Sequence, residues 1–395
     1  MNRNRKKRKG SRPARRAICA LGAVLAFTAP QTALAASPEF AYSEERWAQL
    51  RDDKLEFDEI ADLIREYNTT VRRNQIDFKD YQGKDNEEIS EAYYDTADEI
   101  YASIEYPDSD EANYGSLLAA AQSSELSADQ MVKQGDNNVS DEDVVSWGYQ
   151  QQEKSLVQTA QNQMIAYWEA VVSLESSQNA AARAQKELEV AQAGLAAGTR
   201  TQSDVLNAQE ALLTAQSNVT TAESTIASTR ESLCLMLGWK YGDAVEIGAL
   251  PEPAAGYSST INLAADQETA VASNYSLKIL ERQAENSMNS TLKSGYETSL
   301  AGGTESVKNS VSSAYQSLLL AELQYEQAKN SLTLAENEMQ KADRQKAAGL
   351  ISANAYANQQ YSYTDAQIAE KTASYGLLQA QLAYQWAVDG LAASS

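Results

Sequence analysis

Residues 188–213 read LEVAQAGLAAGTRTQSDVLNAQEALL, and 151 residues further on residues 339–364 return the pattern as MQKADRQKAAGLISANAYANQQYSYT. Both stretches carry a helical repeat into an Ala-Ala-Gly corner and out of it at once. Glycine reaches the left-handed conformation that ends a helix without steric cost, so Gly198 and Gly349 are the expected helix stops. Thr201 and Ser352 follow three residues later, where a hydroxyl caps the next helix by accepting from a backbone amide in its first turn, at Asp204 in the first copy.

The flanking residues decide what kind of helices these are. Before the first corner a seven-residue seam runs Tyr167, Ala170, Leu174, Ser177, Ala181, Ala184, Leu188, Ala191, Leu195. Before the second it runs Leu318, Ala321, Tyr325, Ala328, Leu332, Ala335, Met339, Ala342, Lys346. Mostly large residues alternate with small ones at spacings of three and four, the mark of a helix packed in a left-handed coiled-coil seam. After the first corner the seam continues through Val205, Ala208, Leu212, Ala215 and onward to Met236 without a charge. After the second, Gln359 and Glu370 interrupt it, so that helix is expected to face water or a neighbouring subunit in part.

Proline placement sets the limits of these arms. The six prolines stand at 13, 30, 38, 107, 251 and 253, leaving 108–250 and 254–395 free to be helical. A helix from Asp141 to Leu195 would reach about 80 Å and its return from Thr201 to Leu237 about 55 Å. The Gly/Pro-rich stretch at 251–260 marks a linker between two helical-hairpin repeats, 142–250 and 261–395. Ahead of them, 36–141 is expected to hold an N-terminal helix near Glu44 to Phe78 and an irregular acidic insertion.

Residues 1–35 have the form of a signal peptide: nine Lys or Arg and no acid in the first sixteen residues, an apolar run at 17–29, and Ala33-Leu34-Ala35 as a cleavage pattern. The apolar run is too short for a membrane span. The whole chain has a net charge of −22, and without the basic leader 24 basic residues face all 55 acidic ones. Such a chain has no bulk attraction for nucleic acid or anionic lipid.

There is no histidine, and beyond residue 35 the one cysteine is Cys234. No His/Cys metal site and no Ser-His-Asp or Cys-His pair can be assembled; paired carboxylates could still form a glycosidase dyad, but nothing places two of them in an aromatic cleft, so neither an enzyme nor a cofactor is expected. The acids between Lys84 and Asp143 lack the spacing of a calcium loop and read as a solvated surface.

With GTRTQSDVLNAQEALLTAQ at 198–216, SLCLMLGW at 232–239, SNYSLKILERQAE at 273–285 and GLISANAYANQQ at 349–360, the chain resembles the TolC-like outer membrane efflux protein family. The resemblance implies a homotrimer in which each subunit gives two coiled hairpins to a hollow α-helical barrel. It further implies a corner end that meets an adaptor (membrane fusion) protein coupled to an inner-membrane transporter, in the outer membrane or cell envelope. By the same resemblance Gly198, Thr199, Arg200, Thr201, Asp204, Gly349 and Ser352 form the tip turns, with a candidate role in gating or adaptor contact. The plain physical alternative is that Arg200 and Asp204, four residues apart, make only a local surface pair.

One departure stands out. A membrane barrel of this kind needs two strands per repeat, each about 9 to 11 residues long and alternating apolar with polar. Gly295 to Glu305, expected to join two helices of the second repeat, is too short for them, and Gln82 to Asp141 lacks the alternation. The expected fold class is therefore all-α, with long antiparallel coiled-coil hairpins in two repeats closing into a trimeric α-helical barrel, and transmembrane β-barrel strands reduced or absent. Two functions remain open: a passive export conduit, or a secreted envelope-associated coiled-coil scaffold that transports nothing.

Overall fold

A computed structural model describes residues 42–394, and the expected signal peptide at 1–35 lies outside them. The chain begins with α1 (Glu44–Gln49), a strand stub β1 (Lys54–Leu55), then α2 (Ile60–Tyr67) and α3 (Thr69–Phe78). The single helix expected from Glu44 to Phe78 is thus three short ones. The first break spans residues 50–59 and includes β1; the second falls at Asn68, whose backbone is extended (φ −65°, ψ 126°) and whose carboxamide accepts from the Thr70 and Val71 amides to start α3.

The acidic segment is not irregular. It forms a helical hairpin, α4 (Asn86–Ser103) and α5 (Tyr114–Asp136), with Pro107 in the turn. Asp85 and Glu88 close a reciprocal capping box at its start. Ala97 on α4 and Ala121, Ala128 and Gly135 on α5 are its buried small residues. A methyl group on Gly135 would lie 2.5 Å from the Tyr94 ring, so the two helices approach as closely as side chains permit. Tyrosines tie the hairpin across: Tyr94 donates to Asp136 (2.9 Å), Tyr101 to Asp129 (2.5 Å) and Tyr106 to Glu125 (2.9 Å).

The two long hairpins follow. α6 (Glu142–Ala196) is 55 residues long and returns as α7 (Gln202–Met236). After β2 (Glu246–Ile247), paired in parallel with β1, come α8 (Leu263–Ser273) and α9 (Tyr275–Asn286). α10 (Ser290–Ala347) then runs 58 residues and returns as α11 (Ala353–Trp386), which ends in a π-helical turn over Ala387–Leu391. Residues 295–305, expected to connect two helices, lie inside α10. Gly303 serves packing there, since a Cβ would meet the Leu277 side chain at 2.8 Å and the Ser394 carbonyl at 3.2 Å. The connection sits earlier, at residues 287–289, where the Asn289 side chain accepts from the first amides of α10.

Among the described residues the strands are β1 and β2, two residues each, so strands of membrane-barrel length are absent from them. No described helix is long and apolar enough to cross a membrane.

Both repeats are now legible as the same object with one difference. Asn274 separates α8 from α9 as Asn68 separates α2 from α3, with φ −65° and ψ 120°. Each buried carboxamide also donates to a carbonyl near the far end of its own hairpin: Asn68 to Met236 (2.9 Å) and Asn274 to Ala392 (2.9 Å). Between α3 and α6 the chain inserts α4 and α5, whereas between α9 and α10 it inserts only residues 287–289.

The expected seams are the packed faces. Ala170, Leu188 and Ala191 of α6 are buried, as are Val205, Ala208, Ala215, Ala222 and Leu233 of α7. The alternating alanines let the backbones approach, and burial of the large partners supplies the stabilisation, about 25 cal/mol per Å² of apolar surface. At the end away from the corners each hairpin widens onto its own core. One gathers Leu55, Ile60, Ile64, Met164, Leu233 and Leu237; the other gathers Leu277, Val307, Val311, Leu318, Leu377 and Tyr384. Cys234 is buried in the first, and burial pushes its thiol above the usual range.

Candidate functional site

The corners are built almost wholly from backbone. At the first, Gly198 takes φ +71°, and the Thr199 and Arg200 amides both donate to the Gly194 carbonyl, at 2.8 and 3.1 Å. The Thr199 hydroxyl reaches the same oxygen. Thr201 and Asp204 then close a capping box: the Asp204 amide donates to the Thr201 hydroxyl (3.2 Å), and the Asp204 carboxylate accepts from the Thr201 amide (2.7 Å). The Thr201 amide and hydroxyl hold that carboxyl below its usual range, with the Arg200 charge adding to the effect.

The second corner repeats the backbone with different side chains. Gly349 takes φ +67°, the Leu350 amide donates to the Gln345 carbonyl (2.8 Å), and Ser352 accepts from the Ala355 amide (3.1 Å). Ala355 replaces the acid that would close a capping box. Instead Tyr356 donates to Asp343 (2.7 Å) and lies under the Lys346 ammonium, 3.6 Å from its ring centroid. Leu350 stands 78% exposed at the apex, where the first corner has Thr199.

The local Arg200–Asp204 pair is not formed. Arg200 folds back over Gly194, whose missing side chain leaves the room, and pairs with Glu187 at 2.8 Å. Asp204 is already engaged by the cap, which competes for the same oxygens.

What brings the two corners together is a joint between α6 and α11 that the residue pattern did not disclose. Asn179 donates to Asp365 (2.6 Å) and to the Tyr361 carbonyl (3.1 Å), and Arg183 pairs with Asp365 (2.6 Å) and stacks over the Tyr361 ring. Lys371 pairs with Glu175 at 2.9 Å. Toward the other end Trp386 donates to Gln161 and Lys154 to the Asp389 carbonyl. The helices run antiparallel, so both corners lie at one end. The face of α11 that carries Tyr361 and Asp365 is covered by α6. The layer order is α7, α6, α11, α10, with α7 and α10 as its edges.

A second joint links the repeats near the start of α6. Asp141, 2% exposed, caps α6 through the Val144 amide and also accepts from Arg282 (2.5 Å) and Asn286 (2.8 Å). Burial alone would raise its pKa, but the Asn286, Val144 and Arg282 donors outweigh that and hold it below the usual range. Among the described residues no group of three or more His, Cys, Asp or Glu side chains is placed to hold a metal ion.

No protein-family model matches the chain, and no curated protein matches its sequence. Solved structures do match its fold. A membrane protein from Pseudomonas aeruginosa aligns over 84% of this chain and 93% of its own, at 12% identity and a TM-score of 0.50. The outer membrane protein VceC from Vibrio cholerae aligns over 85% of this chain and 96% of its own, at 10% identity and a TM-score of 0.50. The chain has a TolC-like fold.

Proposed function

We propose that the chain is exported and serves as a passive efflux or export conduit of the cell envelope or outer membrane, closed by three copies. In this reading the corner end meets an adaptor protein coupled to an inner-membrane transporter, which supplies the energy. The observation that carries it is the layer itself. Four helices lie side by side, the longest about 80 Å or more, with both corners at one end and α7 and α10 as the edges of the layer. A layer one helix thick cannot bury its own sides, and closing it on further copies encloses a lumen.

The corners would then form the narrow end. Gly198, Thr199, Thr201, Gly349 and Ser352 shape the turns, and exposed Leu350 is the apolar contact an adaptor would cover. Arg200 and Asp204 act there on separate partners, Glu187 and the cap. The Arg183–Asp365 and Lys371–Glu175 pairs hold the second hairpin against the first, so they are the contacts that opening would break.

A second reading, an envelope scaffold without transport, is favoured by one feature. Where a membrane-spanning relative would need apolar strands, this chain carries the acidic hairpin α4–α5. Deleting the gene in its host and restoring it as wild type or as Leu350→Asp separates the two. The conduit reading expects the deletion strain to retain compounds that the parent exports, with wild type restoring export and Leu350→Asp failing to. Unchanged export with an altered envelope, rescued equally by both forms, overturns it in favour of the scaffold.

A further inference from the structure

The second repeat lacks the insertion that the first carries as α4 and α5, and a cleft of about 880 Å³ stands at that place. It lies between the root of the acidic hairpin and the turn from α9 to α10. Its lining includes Glu87, Glu91 and Tyr94 of α4, Asp136 of α5, Glu285 of α9 and Met288 of the turn. Met288 is 90% exposed, more than Leu350 at the corner. α4 holds six acids and no base, and Glu87 and Glu91 are exposed, four residues apart, with no ion pair among the described residues. Arg282, the basic residue of the lining, is already engaged by Asp141, Asp143 and Glu285. The other side-chain donors are spent in the same way. Asn86, Asn138, Asn286, Ser90 and Ser287 donate to backbone carbonyls, and Tyr94 donates to Asp136. The cleft therefore offers unmatched acceptors together with one bare apolar side chain.

We propose that this cleft receives a basic amphipathic helix of a partner protein, laid along α4 at the end opposite the corners. Its cations meet Glu87, Glu91 and Glu285, and an apolar residue beside them covers Met288. The proposal goes beyond the conduit reading and applies equally to a scaffold. Charge selects the partner. The α4–α5 hairpin of another copy is as acidic as this one and is repelled, as is an anionic lipid surface. Shape selects a helix, because the first repeat places helices where the second has only residues 287–289. The spacing of Glu87 and Glu91 also matches lysines three or four residues apart on the side of a facing helix.

The test titrates the chain from Ala36 to Ser395 into a fluorescently labelled synthetic helix with lysines along one side and leucines on the flank, read by anisotropy at low salt. The expected result is saturable binding that Glu87→Gln with Glu91→Gln weakens about fivefold, as the loss of two exposed ion pairs gives. Asp95→Asn with Glu99→Gln removes the same charge from α4 outside the cleft and should weaken binding by less than about twofold. Met288→Ser, which lies in no helix and changes no charge, should weaken binding too, and it keeps the test decisive if an α4 variant loses helix content by circular dichroism. Equal losses in the two double variants overturn the proposal in favour of a diffuse acidic field. Equal binding of a peptide with the same residues scrambled overturns the helical face. Full displacement of the peptide by spermine at matched charge overturns the protein partner in favour of a small polycation, and absence of saturable binding overturns the site.

Discussion

Asn274 offers the sharpest energetic test of the repeat. Its side chain is 1% exposed, accepts from the Leu277 amide at 3.1 Å to start α9, and donates to the Ala392 carbonyl at 2.9 Å. Asn274→Ala removes the cap, worth about 1 kcal/mol, and strands a carbonyl beside the second core, which costs about 1 to 3 kcal/mol when buried without a partner. The expected loss is roughly 2 to 3 kcal/mol after allowing for partial relaxation. Asn262→Ala is the internal control, because Asn262 caps α8 through the Ala265 amide but is exposed and loses only about 1 kcal/mol. Urea unfolding at one fixed protein concentration, followed by far-ultraviolet circular dichroism, reads both. Equal losses at the two positions would refute the argument that Asn274 joins the start of α9 to the end of the hairpin.

Ala208→Leu overfills the α6–α7 seam, where Ala208 is 8% exposed, and should cost about 1 to 3 kcal/mol, while Gln209→Leu on the exposed side should change thermal stability by less than about 0.5 kcal/mol. The carboxyl of Asp141 is held below its unfolded value of about 3.9, so its contribution is complete above that pH and is lost as pH falls through the lower folded value. Urea midpoints between pH 5 and pH 2.5 should fall for the wild type, and Asp141→Asn should flatten that acid slope. The Tyr101 hydroxyl is pushed up to about 12, first by its hydrogen bond to Asp129. Its folded value lies above the unfolded one, so its support for the α4–α5 hairpin is present below about pH 10 and disappears as pH rises through 12. Tyr101→Phe should lose that alkaline step in a titration monitored by helix content.

The corners and seams were legible because their chemistry is local. A glycine and a hydroxyl three residues apart fix each turn, and the alternation of large and small residues reports its own packing partner one hairpin away. The α6–α11 joint was invisible for the opposite reason: Asn179, Arg183 and Asp365 are ordinary surface residues, Asp365 stands 182 or more positions from the other two, and only the fold brings them together. The acidic hairpin was read as irregular because its seam is made of Ala97, Ala121, Ala128 and Gly135, small residues that leave little hydrophobic period, while its carboxylates looked free and are in part acceptors for tyrosines. Gly295 to Glu305 was read as a connector, yet it lies inside α10, and Gly303 is where that helix must approach Leu277. Arg200 was four residues from one acid and pairs with another thirteen away, because the cap had already claimed Asp204.

The most direct measurement of the central claim is the mass and outline of the chain from Ala36 to Ser395, by light scattering and negative-stain imaging, with and without detergent. The account predicts three copies around a hollow axis, formed without detergent because the described residues supply no lipid-facing strands. An elongated monomer in both conditions would contradict it.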